Sequence, residues 1–308
     1  MNSILLQIKM IKAKNPKSVS VIIPTFKDTD NLIKCLKALY SQSYPIEHIE
    51  IIVVNNDPNE DISYLQEQFL KLIILNENKV GSYAARNKGI EYASKEVLAF
   101  TDSDCIPDSD WIKKGIAYLE SHQTCKIVGG EIIKIFLSKT PTTIELYDNF
   151  SYHQQEKYVS KYHFAVTANL FVTKHVFNKI GKFNERMKSG GDSEFGHRGW
   201  RAGFAVCYCA DAIVRHQAIH DIKILLGKTR RVAGGKFQRD EMATKPLNKF
   251  VSNLLLSYFS SIIKAFKIRQ KVSISSFIKL FFLEIFIQTT TLIEYVRLRF
   301  GSSPIRSY

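Results

Sequence analysis

Cysteine is scarce and unclustered. The chain has 5, at Cys35, Cys105, Cys125, Cys207 and Cys209, and no two are spaced CxxC. Such scatter suggests neither a zinc module nor a disulfide framework, and it fits a reducing compartment. Cys207 and Cys209 share one face of an extended segment, as small half-buried apolar side chains do. A signal peptide is missing too. Ile4, Leu5 and Leu6 are followed by Gln7, Lys9 and Lys12, an apolar stretch too short for one, so a cytoplasmic setting is expected. No GxGxxG follows a strand pattern, which removes the nicotinamide enzymes. Gly227-Lys228-Thr229 has Ile222 where a P-loop needs glycine, which removes that class. His216 and His220 stand four apart, but Gln217 replaces the glutamate of a zinc hydrolase and no third ligand is evident.

Acidic residues are the other shortage: 29 against 43 Lys and Arg, a net charge of +14. The excess is local. Residues 222–308 hold 16 basic and 4 acidic side chains, leaving 27 and 25 on residues 1–221. The remaining composition, 308 residues with 45% hydrophobic and 23% charged, suits one large folded domain plus an appendage and excludes disorder, collagen and coiled coil. A basic tail invites a nucleic-acid reading. Here the charges are interleaved with aliphatic bulk and match no reader motif, so no nucleic-acid partner is expected.

From Ser18 onward, short apolar runs alternate with helical patterns, the signature of a sheet flanked by helices. Strands are expected at Val19 to Ile23, Ile49 to Val54, Leu72 to Leu75, Val97 to Thr101 and Ile127 to Val128. Helices are expected near 60–70, 83–94 and 109–121, and after Asp28 and Asp30 as caps. Helix after strand makes parallel neighbours, so the fold class is α/β. In such sheets ligands bind beyond the carboxyl ends of the strands. Those exits are polar here: Pro24-Thr25, Asn55-Asn56-Asp57 and Asp102-Ser103-Asp104. Two carboxylates one residue apart at a strand exit can hold a hard divalent cation; the same pattern also serves as an Asx-turn or a helix cap.

The joint pattern resembles family 2 glycosyltransferases of the GT-A fold. The matching stretches are Val19 to Phe26, Ile51 to Asp57, Gly81 through Ala85-Arg86-Asn87-Lys88-Gly89, Ala99 to Asp104, Ala168 to Phe171, and Gly191 to Phe195 through Arg198. The resemblance implies a mostly parallel, Rossmann-like nucleotide-binding half. In it Pro24 and Thr25 line the nucleotide pocket, Asp57 accepts from the base, and Arg86 sits near the sugar nucleotide and the DxD. Asp104 would ligate Mn2+ or Mg2+, Asp102 would contact ribose or metal-bound water, and His216 would complete the metal shell. Asp192 matches the base that takes the acceptor hydroxyl's proton, with inversion at the anomeric carbon; it could equally cap the helix that follows. Relatives commonly have Glu-Asp at this point, whereas this chain has Gly191-Asp192. Processive relatives carry Gln-x-x-Arg-Trp after the base. Lys228-Thr229-Arg230-Arg231-Val232 lacks the tryptophan, so single-sugar transfer is expected. Residues 135–165, rich in Tyr147, Tyr152, His153, Tyr158 and Tyr162, are a candidate platform for sugar stacking.

The tail reads as two amphipathic helices. Over 250–267, Asn253, Ser257, Ser260, Lys264 and Lys267 form a narrow polar stripe. Over 277–297, Ile278, Phe281, Phe282, Ile285, Phe286, Leu292, Ile293 and Val296 lie opposite Lys279, Glu284, Gln288, Thr291, Glu294 and Arg297. Lys279, Glu284 and Glu294 interrupt a spanning segment. Peripheral attachment to an anionic membrane surface is expected, at the inner face of the cell membrane; packing on the sheet or in a homo-oligomer is the other way to cover these faces. We therefore divide the chain into an N-terminal tail (1–17), a GT-A domain (18–240) and a basic, apolar helical region (241–308). The expected partners are a nucleotide-sugar donor and a glycan or lipid-linked acceptor. A polyprenyl-phosphate sugar synthase and a non-catalytic sugar-nucleotide binder are the alternatives.

Overall fold

The computed structural model describes residues 17–240 and 245–303; nearly all of the N-terminal tail lies outside them. The strands are β1 (Val19–Thr25), β2 (Ile49–Asn55), β3 (Ile73–Asn76), β4 (Val97–Thr101), β5 (Cys105–Pro107), β6 (Cys125–Ile135), β7 (Asn169–Thr173) and β8 (Ala205–Gln217). The helices are α1 (Thr29–Tyr40), α2 (Leu65–Gln68), α3 (Ser82–Tyr92), α4 (Trp111–Ser121), α5 (Thr143–Ser151), α6 (Gln155–Tyr162), α7 (Lys174–Ile180), α8 (Gly191–Arg201), α9 (Ile222–Arg239), α10 (Leu247–Ile268) and α11 (Ile274–Arg299).

One eight-stranded sheet runs in the order β3-β2-β1-β4-β7-β6-β8-β5. One half of the sheet, β3-β2-β1-β4, is parallel as expected. Beyond it the sheet is mixed. β7 runs antiparallel between β4 and β6, β8 is parallel to β6, and the short β5 closes the edge antiparallel to β8. The period of two along β1 divides the core. Val19, Val21 and Ile23 meet Leu32, Leu36 and Leu39 of α1 on one face, while Ile22 joins Tyr83, Ala85 and Ile90 of α3 on the other. Register pairs Thr25 with Asn55 and Ile22 with Phe100, so three strands run out along one edge. Asn169 ties the mixed half together. Its amide donates to Glu131 O and Ala212 O at 2.7 and 2.8 Å, and its Oδ1 accepts from Trp111 Nε1 at 2.8 Å.

One expectation is corrected here. Cys125 and Cys207 form a disulfide with a Cα–Cα separation of 5.9 Å, because the parallel pairing of β6 and β8 sets Cys125 beside Ala205, two residues before Cys207. The pairing joins single cysteines 82 residues apart, so no sequence spacing betrays it. Cys35, Cys105 and Cys209 are free and buried.

In the tail the two expected helices are present, and α11 leaves much of its expected apolar stripe on the outside. Glu294, Thr290 and Tyr295 are buried, whereas Ile278, Phe282, Phe286, Ile293 and Val296 are exposed. The inward side mixes Leu280, Ile287, Tyr295 and Leu298 with polar groups that are satisfied within the helix, Glu294 pairing with Arg297 at 2.6 Å and Glu284 accepting from Gln288 at 2.9 Å. Satisfied in this way, the polar groups lose little by burial, and the apolar side is left outside. Packing is through α9 and α5: Phe237 meets Phe250, Tyr295 and Leu298, and Tyr147 and Leu225 meet Leu280 and Ile287. α11 is long and apolar enough to cross a membrane by length and composition. On α10, Val251, Leu255, Phe259 and Ile263 are exposed; the side chains of Asn253, Ser257, Lys264 and Lys267 lie outside the described residues.

Candidate active site

The polar strand exits meet at the edge where β1, β2 and β4 end. After β2, Asn55 Oδ1 accepts from the Asp57 amide at 2.9 Å, and Asp57 Oδ1 accepts from the Asn59 amide at 3.0 Å, a short-range turn that fixes the buried Asp57. Asn56 reaches across instead. Its Nδ2 donates to Glu77 O and Lys79 O at 2.6 and 2.9 Å, and its Oδ1 accepts from the Gly81 amide at 2.7 Å. This staple sets where α3 begins.

α3 carries two side chains into the site. Arg86, with a 5% exposed side chain, pairs with Asp102, which is 30% exposed. Tyr83, one turn earlier, donates its hydroxyl to Asp192 Oδ1 and accepts from the Gly191 amide at 2.8 Å. The Arg86 guanidinium stands 5.7 Å from the Tyr83 ring centroid. Burial opposes the charge on Arg86, but Asp102 and Asp192 outweigh it and hold its pKa above the ordinary value. Two buried polar atoms here have no hydrogen-bond partner among the described residues, Thr25 Oγ1 and Arg86 Nε. Unsatisfied buried polar groups are costly, and both belong to residues the sequence reading placed at a nucleotide.

Asp192 lies inside the first turn of α8, and the cap residue is Gly190, whose φ of 79° is left-handed and suits glycine. The capping alternative for Asp192 therefore does not hold. Its Oδ2 accepts from the Thr167 amide at 3.2 Å, so both carboxylate oxygens are engaged. Gly191 has a steric reason. A Cβ there would stand 2.7–2.9 Å from the Tyr83 ring, closer than side chains tolerate.

Across the site, His216 Nε2 is 3.5 Å from Asp104 Oδ2. These atoms and the Cys105 sulfur lie within 4.8 Å of one another. His216 Nδ1 donates to Gln217 O at 2.8 Å, which fixes the tautomer and turns the Nε2 lone pair toward Asp104. A carboxylate oxygen and an imidazole so arranged fit a divalent cation such as Mn2+ or Mg2+. Asp102 stays with Arg86 and is not in that group.

Three contributors were not legible as such. Asp28 caps α1 through its backbone, its O accepting from Leu32 at 3.0 Å, while its carboxylate accepts from Ser103 Oγ at 2.8 Å beside the DxD. Burial first, then the charge of Asp104, raises its pKa. Tyr83 is the second. His153 is the third: with a left-handed φ of 57° it sets its ring 4.6 Å from that of His216, and its buried Nδ1 has no hydrogen-bond partner among the described residues. Among the tyrosines expected to stack on sugar, Tyr158 is stacked on Phe164 at 4.9 Å and Tyr147 is buried against the tail.

The sequence model described as Glycosyl transferase family 2 matches residues 20–181. The chain belongs to this family. It is therefore a glycosyltransferase, and the curled mixed sheet is the GT-A fold. Glycosyltransferase AglE of Haloferax volcanii is 36% identical over 225 residues, 71% of this chain and 73% of that one. A dolichyl N-acetyl-alpha-D-glucosaminyl phosphate 3-beta-D-2,3-diacetamido-2,3-dideoxy-beta-D-glucuronosyltransferase of Methanococcus voltae is 30% identical over 130 residues, 38% of this chain and 40% of that one. Among solved structures, the mannosyltransferase PcManGT from Pyrobaculum calidifontis, in complex with GDP-Man and Mn2+, superposes with a TM-score of 0.63. It is 14% identical, with 94% of this chain and 88% of that chain covered. Residues 1–349 of Staphylococcus aureus TarS, in complex with UDP-GlcNAc, superpose with a TM-score of 0.54 at 14% identity, covering 92% and 91%.

Proposed function

We propose that this family 2 glycosyltransferase inverts the anomeric centre and moves one sugar from a nucleotide-sugar donor to a lipid-linked glycan at the inner face of the cell membrane. The observation that carries the reading is α3, which joins Asp102 through Arg86 and Asp192 through Tyr83. A donor-binding acid and a candidate base are thereby held on one rigid element. Pro24 and Thr25 bound the nucleotide pocket, Asp57 accepts from the base, and Asp102 meets the ribose. Asp104 and His216 would hold Mn2+ or Mg2+, which stabilises the charge of a departing diphosphate. Arg86 adds a buried cation beside it. Asp192, oriented by Tyr83 and Thr167, takes the proton of the acceptor hydroxyl as that oxygen attacks the anomeric carbon. A single base and no covalent sugar–enzyme intermediate give inversion.

A lipid-linked acceptor is supported by the name of the Methanococcus voltae relative, which specifies a dolichyl phosphate-linked sugar, and by the exposed apolar side of α11. Residues 241–308 then form the membrane-binding region. Incubation with radiolabelled nucleotide-sugars and a polyprenyl-linked glycan extract is expected to carry label into the organic phase. Asp192→Asn should abolish this while retaining nucleotide binding, and the new linkage should have the anomeric configuration opposite to the donor's. Retained configuration, or full transfer by Asp192→Asn, overturns the proposal.

A further inference from the structure

The segment that follows α6 runs beside α8, and three contacts in order define the seam between them. At one end Asp192 Oδ2 accepts from the Thr167 amide at 3.2 Å. One turn on, Gly196 faces Phe164 so closely that a Cβ would stand 2.4 Å from the Phe164 Cβ. A further turn on, the Trp200 indole stacks on the His163 ring, with centroids 4.3 Å apart and planes 3° from parallel. Asp192, Gly196 and Trp200 are spaced i, i+4 and i+8, so they share one stripe of the helix, while Thr167, Phe164 and His163 run the opposite way. Eight helical residues rise about 12 Å, which is the distance along the seam from the candidate base to the indole.

The far end of the seam is open. Trp200 is 50% exposed and Tyr162 39% exposed; His163 covers one face of the indole and leaves the other to solvent. The pair is nevertheless firmly placed. His163 closes α6 in a left-handed conformation with φ of 54°, and His197 Nε2 donates to Tyr162 O at 2.8 Å, tying the end of α6 to α8. Lys161 Nζ stands 5.6 Å from the Tyr162 ring centroid, and Lys161 and Arg201 are exposed beside the two aromatics. Rings held in water contribute little burial to the fold, so this order calls for a ligand.

Size and chemistry select that ligand. A stable protein interface needs roughly 800 Å² on each side, and Tyr162 and Trp200 are the large exposed hydrophobics of α6 and α8. A sugar ring is smaller and matches: its C–H face packs on the electron-rich face of an aromatic ring, while its hydroxyls stay in water or meet flanking polar groups. We infer that Trp200 and His163 form a second sugar-binding subsite, which receives a unit of the acceptor glycan behind the one whose hydroxyl lies at Asp192. The inference rests on the glycan acceptor proposed above, and it makes that acceptor a chain of several sugars.

The test separates the polyprenyl-linked extract by glycan length and releases part of each fraction as free glycan. The chain has 2 tryptophans and Trp111 is fully buried, so changes in emission on titration report Trp200. Long free glycans are expected to shift that emission saturably, whereas single sugars, and GDP or UDP with Mn2+, are not. His163→Asn suits the left-handed backbone and removes the ring, and should weaken glycan binding about tenfold. In transfer assays Trp200→Ala and, independently, His163→Asn should raise KM for the long-glycan fraction about tenfold, with kcat and nucleotide binding unchanged. KM for the single-sugar fraction should not move.

Emission unmoved by long glycans, emission that responds to nucleotide instead, or transfer confined to the single-sugar fraction overturns the inference. Unaltered KM for the long fraction in both variants, or equal increases for both fractions, does so too. Transfer without glycan binding at Trp200 overturns the subsite alone. Glycan binding at Trp200 without transfer to any lipid-linked fraction overturns the acceptor proposal and leaves the subsite standing.

Discussion

Tyr83 and Asp192, 109 residues apart in sequence, share a hydrogen bond in which the tyrosine hydroxyl is the donor. The same oxygen accepts from the Gly191 amide at 2.8 Å, so it is anchored to the backbone of the residue preceding the carboxylate. Burial first, and then the charge of Asp192, push the Tyr83 phenol well above its usual range, which keeps it a donor at neutral pH. One turn on, Arg86 reaches Asp102. The geometry of Asp102 and that of Asp192 are therefore both set by the position of α3.

Tyr83→Phe keeps the ring and removes the donor. A hydrogen bond to a charged group contributes about 1.5–3 kcal/mol, so kcat should fall about 10- to 100-fold with the donor KM nearly unchanged. Steady-state kinetics with the donor found by the labelling experiment check this; a wild-type kcat contradicts the bracing role.

Gly191→Ala places a Cβ against the Tyr83 ring, at 2.7–2.9 Å, and should cost about 1–3 kcal/mol as overpacking does. In urea unfolding, Tyr83→Ala should relieve that cost in the double variant, because the obstructing ring is gone. Strictly additive losses contradict the contact. The glutamate common in relatives at this position is excluded here for the same steric reason.

Lys228 is pushed down to about 8 by burial, against the pull of Asp148. The charged groups around it are Asp148, Lys134 and Arg231. Between pH about 8 and the ordinary lysine value the unfolded chain binds the proton that the folded chain has released, so this group makes folding more favourable as pH rises through that window. Lys228→Met should flatten the rise in urea unfolding measured across it, and a pH slope unchanged by Lys228→Met contradicts the burial account.

α11 should bind membranes through its exposed apolar side. Wild type is expected to float with anionic vesicles, and Phe282→Asp with Phe286→Asp should stay in the lower fractions with nucleotide binding intact. A wild-type chain that remains below as a dimer, and becomes monomeric on these substitutions, contradicts the membrane role and supports a subunit interface.

The strand exits were legible because their signals are local. A β-branched run followed by polar residues marks a strand end, which brought out Thr25, Asp57 and Asp104. Asp192 and Arg86 were legible through resemblance. Tyr83 was not, since a tyrosine inside a helix pattern looks like core and its partner lies on another element. The disulfide was hidden for a related reason: Cys125 and Cys207 become neighbours only through the β6–β8 register. The stripes of α11 were visible as periodicity, but periodicity fixes which residues share a face and not where that face points. The antiparallel β7 and β5 also carry no local mark, because strand direction depends on which partner receives the strand.

The central claim is that the edge formed by Thr25, Asp57, Arg86 and Asp104 is a metal-assisted nucleotide site. Calorimetry with UDP, dTDP, GDP and CDP, with and without Mn2+, on wild type and Asp104→Ala tests it directly. The account predicts tight binding of one nucleoside diphosphate that requires Mn2+ and is lost in Asp104→Ala; no binding by any of the four, or binding indifferent to both metal and Asp104, contradicts it.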